Sequence, residues 1–182
     1  AGRGERQLRQ VSEAILVAGM EEGQILDGVL AESSRQRTDL WRLRESIPES
    51  EKHQGGSVKH DVSVTIDRIP DFLEAAPPRL AAIADCRYSV YGPIGDGNLH
   101  YNLLAPEGAD PRAFREEHGA ALSACVHDLA VELGGSFSAE HGVGKLKKGE
   151  LARYKDPVAL SVMRAIKNAL DPEGLMNPGK MF

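Results

Sequence analysis

Two short stretches concentrate the side chains that do chemistry: Gly95-Asp96-Gly97-Asn98-Leu99-His100-Tyr101-Asn102, and Ser138-Ala139-Glu140-His141-Gly142-Val143-Gly144. His100 and Glu140 offer an imidazole and a carboxylate, ligand types that suit zinc, manganese or iron. A hydrogen-bonded pair without metal is the alternative, and the sequence leaves both open. His141 is a candidate general base, because imidazole titrates near neutrality and an adjacent carboxylate or cation tunes it. A histidine on a surface loop is the plain alternative. Gly142 and Gly144 let a bound molecule or another backbone come close. Arg44 and Lys59 are candidate clamps for a carboxylate, the guanidinium in bidentate fashion and the ammonium as a point charge. A solvated charge is the default for each.

Other chemistries are excluded. Gly144-Lys145 invites a phosphate-loop reading, but Ala139 stands where that motif needs its first glycine and Leu146 where it needs Ser or Thr. There is no G-x-G-x-x-G dinucleotide fingerprint. The net charge of −5 argues against a nucleic-acid footprint. No apolar run reaches the length needed to span a bilayer, and the start, Ala1 to Arg6, lacks the apolar stretch of a signal peptide. Cys86 and Cys125 imply no disulfide framework. Cys125 falls on the apolar side of a predicted helix and reads as a buried thiol. A reducing, cytoplasmic setting is expected.

The elements that must position these residues follow from periodicity. The 182 residues suffice for one medium domain with a core. Leu8, Val11, Ile15 and Ala18 predict an opening amphipathic helix ended at Gly23. Ile25 to Ala31 reads as a strand. A helix with Leu40, Leu43 and Ile47 on one side is expected to stop at Pro48, followed by a polar loop from Glu49 to Ser57. Val58 to Ile66 alternates cleanly, with Val58, His60, Val62, Val64 and Ile66 on one face and Lys59, Asp61, Ser63 and Thr65 on the other. His60 reads as a core histidine, and His53, His118 and His127 as loop or helix-surface residues. A helix begins at Pro70, breaks at Pro77-Pro78 and restarts through Leu80 and Ile83.

Arg87 to Tyr91 and Leu99 to Leu104 read as two strands joined by a tight Asp96-Gly97 turn, which places His100 and Asn102 on one face. Asp110-Pro111 caps a long helix with Phe114, Leu122, Cys125, Leu129 and Leu133, ended by Gly134-Gly135. Ser136 to Ser138 reads as a short edge strand and Lys145 to Lys155 as partly helical. Asp156-Pro157 caps a last helix with Val158, Val162, Ile166 and Leu170 on its apolar side, and a docked tail runs from Asp171 to Phe182. The order predicts an α+β fold, a mainly antiparallel sheet with helices on one face and polar residues on the other.

These motifs together resemble the C-terminal substrate domain of FAD-linked oxidases of the vanillyl-alcohol-oxidase superfamily, in the branch of the D-lactate, glycolate and D-2-hydroxyglutarate dehydrogenases. The resemblance runs nearly end to end. It rests on Leu40-Trp41-Arg42-Leu43-Arg44-Glu45, Lys59-His60-Asp61-Val62-Ser63, Gly95 to Asn102, Ser138 to Gly144, and Asn177-Pro178-Gly179-Lys180. It implies a ferredoxin-like fold over residues 1–182 that caps a flavin-binding domain. In such enzymes that domain precedes this one, and this chain lacks it. The domain alone is expected to be inactive.

The resemblance implies that Arg44 and Lys59 hold a substrate carboxylate, Asn102 orients the substrate, and His141 is the base. It implies His100 and Glu140 as metal ligands and Asn177 as a tail residue near the flavin. The reaction implied is hydride transfer from C2 of a D-2-hydroxy acid to flavin. Metal-binding members carry a histidine where this chain has Pro93, so weak binding of a divalent metal such as zinc, or none, is expected, with His100 retained as an electrophilic hydrogen-bond donor. The expected partners are a small 2-hydroxy acid and the flavin domain, with a homodimer as a further expectation. Two other readings compete: a metal-assisted hydrolase using His100, Glu140 and His141, and a non-catalytic interaction module.

Overall fold

A computed structural model describes residues 4–182; Ala1-Gly2-Arg3, read above for a signal-peptide pattern, lies outside the described residues. The described residues divide into two compact units, one ending at Ser50 and one running from Glu51 to Phe182. In the first, α1 (Glu5–Glu21) is followed by an irregular segment and by the start of α2 (Ser34–His53). Gly19 packs so close to Ile25 that a Cβ would lie 2.5 Å from its Cδ1. Ser33 caps α2 by accepting the Gln36 N–H at 3.2 Å. The strand expected over Ile25 to Ala31 is absent: the segment has no ladder partner and Leu26 and Val29 are exposed. Leu8, Val11 and Ile15 form the expected stripe on α1, but they too are exposed.

Pro48 does not stop α2, which runs on to His53. The missing N–H costs one helix bond, and the last turn is anchored by Glu51, buried and bonded to Asn102 and Ser57. The loop expected from Glu49 therefore shrinks to residues 54–57.

The second unit is built on a three-stranded antiparallel sheet of order β1-β3-β2, with β1 Asp61–Ser63, β2 Arg87–Tyr91 and β3 Asn98–Leu104. The strand expected over Val58 to Ile66 is trimmed to β1. Val58 still bridges Leu103, while Ile66–Arg68 turns into a 3-10 helix. Between β1 and β2 runs α3 (Ile69–Ala81), continuous through Pro77 and Pro78. Those prolines remove two N–H donors, but the carbonyls they leave, of Leu73 and Glu74, lie on the exposed side. Phe72, Ala76 and Leu80 meanwhile bury one face.

β2 and β3 form the expected hairpin, but not through a two-residue turn. Residues 92–97 connect them, with a 3-10 turn Ile94–Asp96 and left-handed backbone at Gly97 (φ 68°). A Cβ there would stand 1.9 Å from the Val64 carbonyl oxygen, so close approach of the β1 end fixes glycine at this position. α4 (Pro111–Glu132) follows, capped as expected by Asp110, which accepts the Arg112 N–H. Ser136 then makes a single antiparallel bridge with Ser63, the last residue of β1, in place of the expected edge strand. The succession βαββα, closed by that bridge beside β1, is the ferredoxin-like pattern.

α3 and α4 cover one face, where Val62, Leu99, Tyr101 and Leu103 meet Phe72, Leu80, Leu122 and Val126. A smaller cluster of Phe137, Leu151 and Leu160 joins α5 (Lys148–Tyr154) to α6 (Pro157–Leu170). α4 borders both clusters, which corrects one reading: His127 is not on the surface but 4% exposed, its ring against His60 and Phe137. His60 is a core histidine, as expected. Cys86 and Cys125 are free thiols, buried and half-buried. The apolar side of α6 is uncovered, with Val158, Val162, Ile166 and Leu170 all exposed. No helix among the described residues is long and apolar enough to cross a membrane.

Candidate active site

The face of the sheet away from α3 and α4 is polar. Register places Asp61 opposite His100 and His100 opposite Tyr91, so three strands each project one polar side chain in a row. The Glu140-His141 loop folds over that row. Asp61 draws it in. The Asp61 carbonyl accepts the Ala139 N–H at 3.1 Å, and its Oδ2 accepts the N–H groups of Glu140 and His141 at 3.0 and 2.9 Å. Ser138 Oγ donates to the Gly142 carbonyl and accepts from Lys147 Nζ, which braces the loop from behind.

The two distant motifs thus meet. His100 Nε2 lies 3.4 Å from Glu140 Oε1, and His141 Nε2 lies 3.8 Å from the same oxygen. The imidazoles stack with centroids 5.7 Å apart, and the Tyr91 ring lies 5.1 Å from that of His100, tilted against it. His100 is largely buried, whereas His141 and Glu140 are 61% and 57% exposed. This suits one group held in the floor and two at the rim. Asp61 is 2% exposed. Burial opposes its ionisation, but the His141 and Glu140 N–H groups, the nearby His141 ring and the Asn98 amide outweigh it and hold the carboxyl below the usual range.

One ligand atom from each of Asp61, His100, Glu140 and His141 can be chosen so that all lie within 4.8 Å of one another. With metal–ligand bonds near 2.1 Å, tetrahedral ligands stand about 3.4 Å apart. The His100–Glu140 pair has that separation, so these two groups fit a divalent cation. Pro93, in the β2–β3 connection, contributes no ligand. The Asp61 carboxylate is already occupied by three N–H donors, one of them from Asn98 at 3.1 Å.

Lys59 and Asn102 stand opposite each other where the β1–β3 register continues toward the Val58–Leu103 bridge. Lys59 Nζ is 3.7 Å from Glu51 Oε2 and half exposed. Asn102 is buried; its Oδ1 accepts the His60 N–H and its Nδ2 donates to Glu51 Oε1. Asn177 has left-handed backbone (φ 50°). With Gly142, Gly144, Lys167, Lys180 and Phe182 it lines a cavity of about 480 Å³. The Met181 N–H bonded to the Gly144 carbonyl ties the tail to the loop after His141. Arg44 lies half-buried on α2 in the first unit.

Sequence reasoning missed Asp61, Glu51, Tyr91 and Lys147. Asp61 had a visible signal, since strand alternation puts it on the polar face with Lys59. Glu51 had none, because it was assigned to a loop.

Residues 1–181 match the family model described as FAD linked oxidases, C-terminal domain. Relatives include D-2-hydroxyglutarate dehydrogenase of Stutzerimonas stutzeri (strain A1501), 39% identical over 90% of this chain and 35% of its own length. The enzyme of that name from Xanthomonas citri pv. viticola is 41% identical over 90% of this chain and 34% of its own. The mitochondrial D-2-hydroxyglutarate dehydrogenase of Rattus norvegicus is 38% identical over 99% and 32%. The chain spans about a third of the length of these relatives. With a match from end to end and the two motifs converged on one face, the chain belongs to the FAD-linked oxidases, as their C-terminal domain.

Proposed function

We propose that this chain is the substrate-handling part of an FAD-dependent dehydrogenase that oxidises a D-2-hydroxy acid to the 2-oxo acid, of the D-2-hydroxyglutarate, D-lactate or glycolate type. The observation that carries the reading is the meeting of His100, Glu140 and His141 over Asp61. A flavin bound by the preceding domain would supply the acceptor for the hydride that leaves C2 of the substrate. A divalent cation held by His100 Nε2 and Glu140 Oε1 would polarise the substrate hydroxyl oxygen. With two ligands in place of three, its binding is weak.

His141, at the rim, removes the hydroxyl proton through Nε2, and hydride departs more readily as charge develops on the oxygen. His100, in the floor, faces that oxygen. Lys59 holds the substrate carboxylate. Asn102 orients the substrate end of the site by fixing Glu51 and, through it, Lys59. Asn177 borders the cavity next to Gly142 and Gly144 and is assigned to the flavin side.

The uncovered α6 stripe, Val158, Val162, Ile166 and Leu170, is assigned to the contact with a flavin-binding domain. A homodimer through the same stripe is the competing outcome, and sedimentation of the protein with its flavin domain decides between them. Two free thiols fit a reducing compartment, either the cytoplasm or, as in the name of the Rattus norvegicus relative, the mitochondrion.

The test uses the enzyme carrying its flavin domain. Under anaerobic conditions the flavin absorbance should bleach when a D-2-hydroxy acid is added. His141→Ala should slow the bleaching by about 10²–10⁴-fold, the range for loss of a general base. Bleaching at the wild-type rate in that variant removes the base assignment. No bleaching by any D-2-hydroxy acid in the wild type removes the substrate class.

A further inference from the structure

Asp61 does more than hold a loop. Its carboxylate faces the same ring nitrogen of both imidazoles: Oδ2 is 3.7 Å from Nδ1 of His141, and Oδ1 is 3.9 Å from Nδ1 of His100. Glu140 lies on the opposite side, facing Nε2 of both rings. The two carboxylates are unlike. Glu140 is exposed. Asp61 is fixed by Asn98 and by two consecutive backbone N–H groups, one of them that of His141 itself. The other charged group toward Asp61 is Lys147, half-buried, whose Nζ bonds to Phe137 O and Ser138 Oγ rather than to the carboxylate.

We propose that Asp61 is the positioning residue of the base: it holds His141 as the tautomer with its proton on Nδ1, leaves Nε2 free to take the substrate's proton, and stabilises the imidazolium that forms. A neutral imidazole carries one N–H, and its place is set by what faces each nitrogen. A buried, immobile negative charge beside Nδ1 favours the proton there, whereas the exposed Glu140 faces Nε2 from the solvent side, where water and salt screen its charge. The grip on the His141 N–H fixes the residue's backbone, and the charge fixes its ring. This is the division of labour between an orienting carboxylate and a catalytic imidazole that acyl-transfer triads show on unrelated folds. The role in turnover rests on the hydroxy-acid reading; the tautomer does not.

Asp61→Asn separates the two contributions. An asparagine oxygen can still accept the Glu140 and His141 N–H groups, so the loop stays in place while the charge is lost. Nitrogen-15 NMR of the imidazoles, on the chelator-treated chain in mildly alkaline buffer, should show His141 protonated on Nδ1 in the wild type. In Asp61→Asn it should shift toward the Nε2-protonated form, with the Glu140 and His141 amide resonances little moved. In the enzyme with its flavin domain, Asp61→Asn should lower kcat by at least about tenfold and up to about 10⁴-fold, the loss when the carboxylate behind a catalytic imidazole is neutralised, with KM changed less than threefold. A wild-type His141 protonated on Nε2 overturns the proposal even if the variant fails to fold. So does a tautomer that is the same in both proteins. A wrong tautomer with substrate-dependent bleaching intact sinks this proposal alone. Absence of bleaching with the expected tautomer sinks the hydroxy-acid reading alone.

Discussion

His100 Nε2 and Glu140 Oε1 stand 3.4 Å apart although one projects from the central strand and the other from a loop after α4. That separation is the one a bound cation would impose. Zinc titrated against a competing chelator should therefore bind the wild-type chain weakly. His100→Ala and Glu140→Gln should each weaken binding by at least about tenfold. Affinity unchanged in both variants would show that the pair is joined only to each other.

Glu51 and Asn102 form a second relationship, a hydrogen bond of 2.8 Å between buried side chains. Glu51 also accepts from Ser57 and faces Lys59. Glu51→Ala leaves the Asn102 amide and the Ser57 hydroxyl without their acceptor, at a cost of about 1–3 kcal/mol, read as a lower urea midpoint. Glu51→Gln keeps an acceptor but removes the charge that holds Lys59. In the enzyme with its flavin domain it should raise KM for the hydroxy acid by about tenfold, or ~1.4 kcal/mol, with kcat little changed. A KM unaffected by Glu51→Gln detaches Lys59 from the substrate.

These pairs show what could be read from residue order and what could not. His100 and His141 were recognisable singly, because each sits in a dense polar motif. The alternation from Val58 put Asp61 on the polar face, but alternation says nothing about which loop a carboxylate will grip. Helix ends failed for a different reason. Pro48, Pro77 and Pro78 look like stops, and tertiary contacts of Glu51, Ala76 and Leu80 carry both helices past them. Ile25 to Ala31 has strand-forming residues but no partner edge, and a strand is a relation between two segments.

Gly97 and Gly135 are fixed by contact. A Cβ at either would lie 1.9 Å from a β1-side carbonyl oxygen, of Val64 and Ser63 respectively. Gly97 also has a positive φ of 68°, which Gly135 does not share, and Gly108 has a positive φ of 81° but open space around it. Gly108→Ala should cost about 1 kcal/mol, the conformational penalty alone. Gly97→Ala and Gly135→Ala should cost more than about 3 kcal/mol, because a backbone must move in both, and Gly97 adds the conformational penalty. Equal urea midpoints for all three would mean that β1 shifts freely, and the placement of Asp61 would then lose its rigidity.

The core histidines predict how stability depends on pH. Burial pushes the His60 ring down to about 4, with its backbone bond to Tyr101 opposing and the charges of His127 and Lys147 adding to the fall. Burial also lowers His127, whose ring nitrogens have no hydrogen-bond partner among the described residues. A histidine depressed in the folded state binds its proton more readily when unfolded. Its contribution is full above the unfolded value of 6.5 and is lost as pH falls from there toward about 4. For His60, buried among Tyr101, Ser123 and His127, the loss is about 3 kcal/mol at 1.36 kcal/mol per pH unit. The urea midpoint should therefore hold from pH 7.5 to about 6.5 and drop steeply toward pH 5. His127→Leu removes one of the two titrating rings and an unsatisfied buried dipole, so it should raise the midpoint at neutral pH and flatten the acid slope. A variant less stable than wild type at neutral pH, with an unchanged acid slope, would show that His127 finds a hydrogen-bond partner in the folded protein.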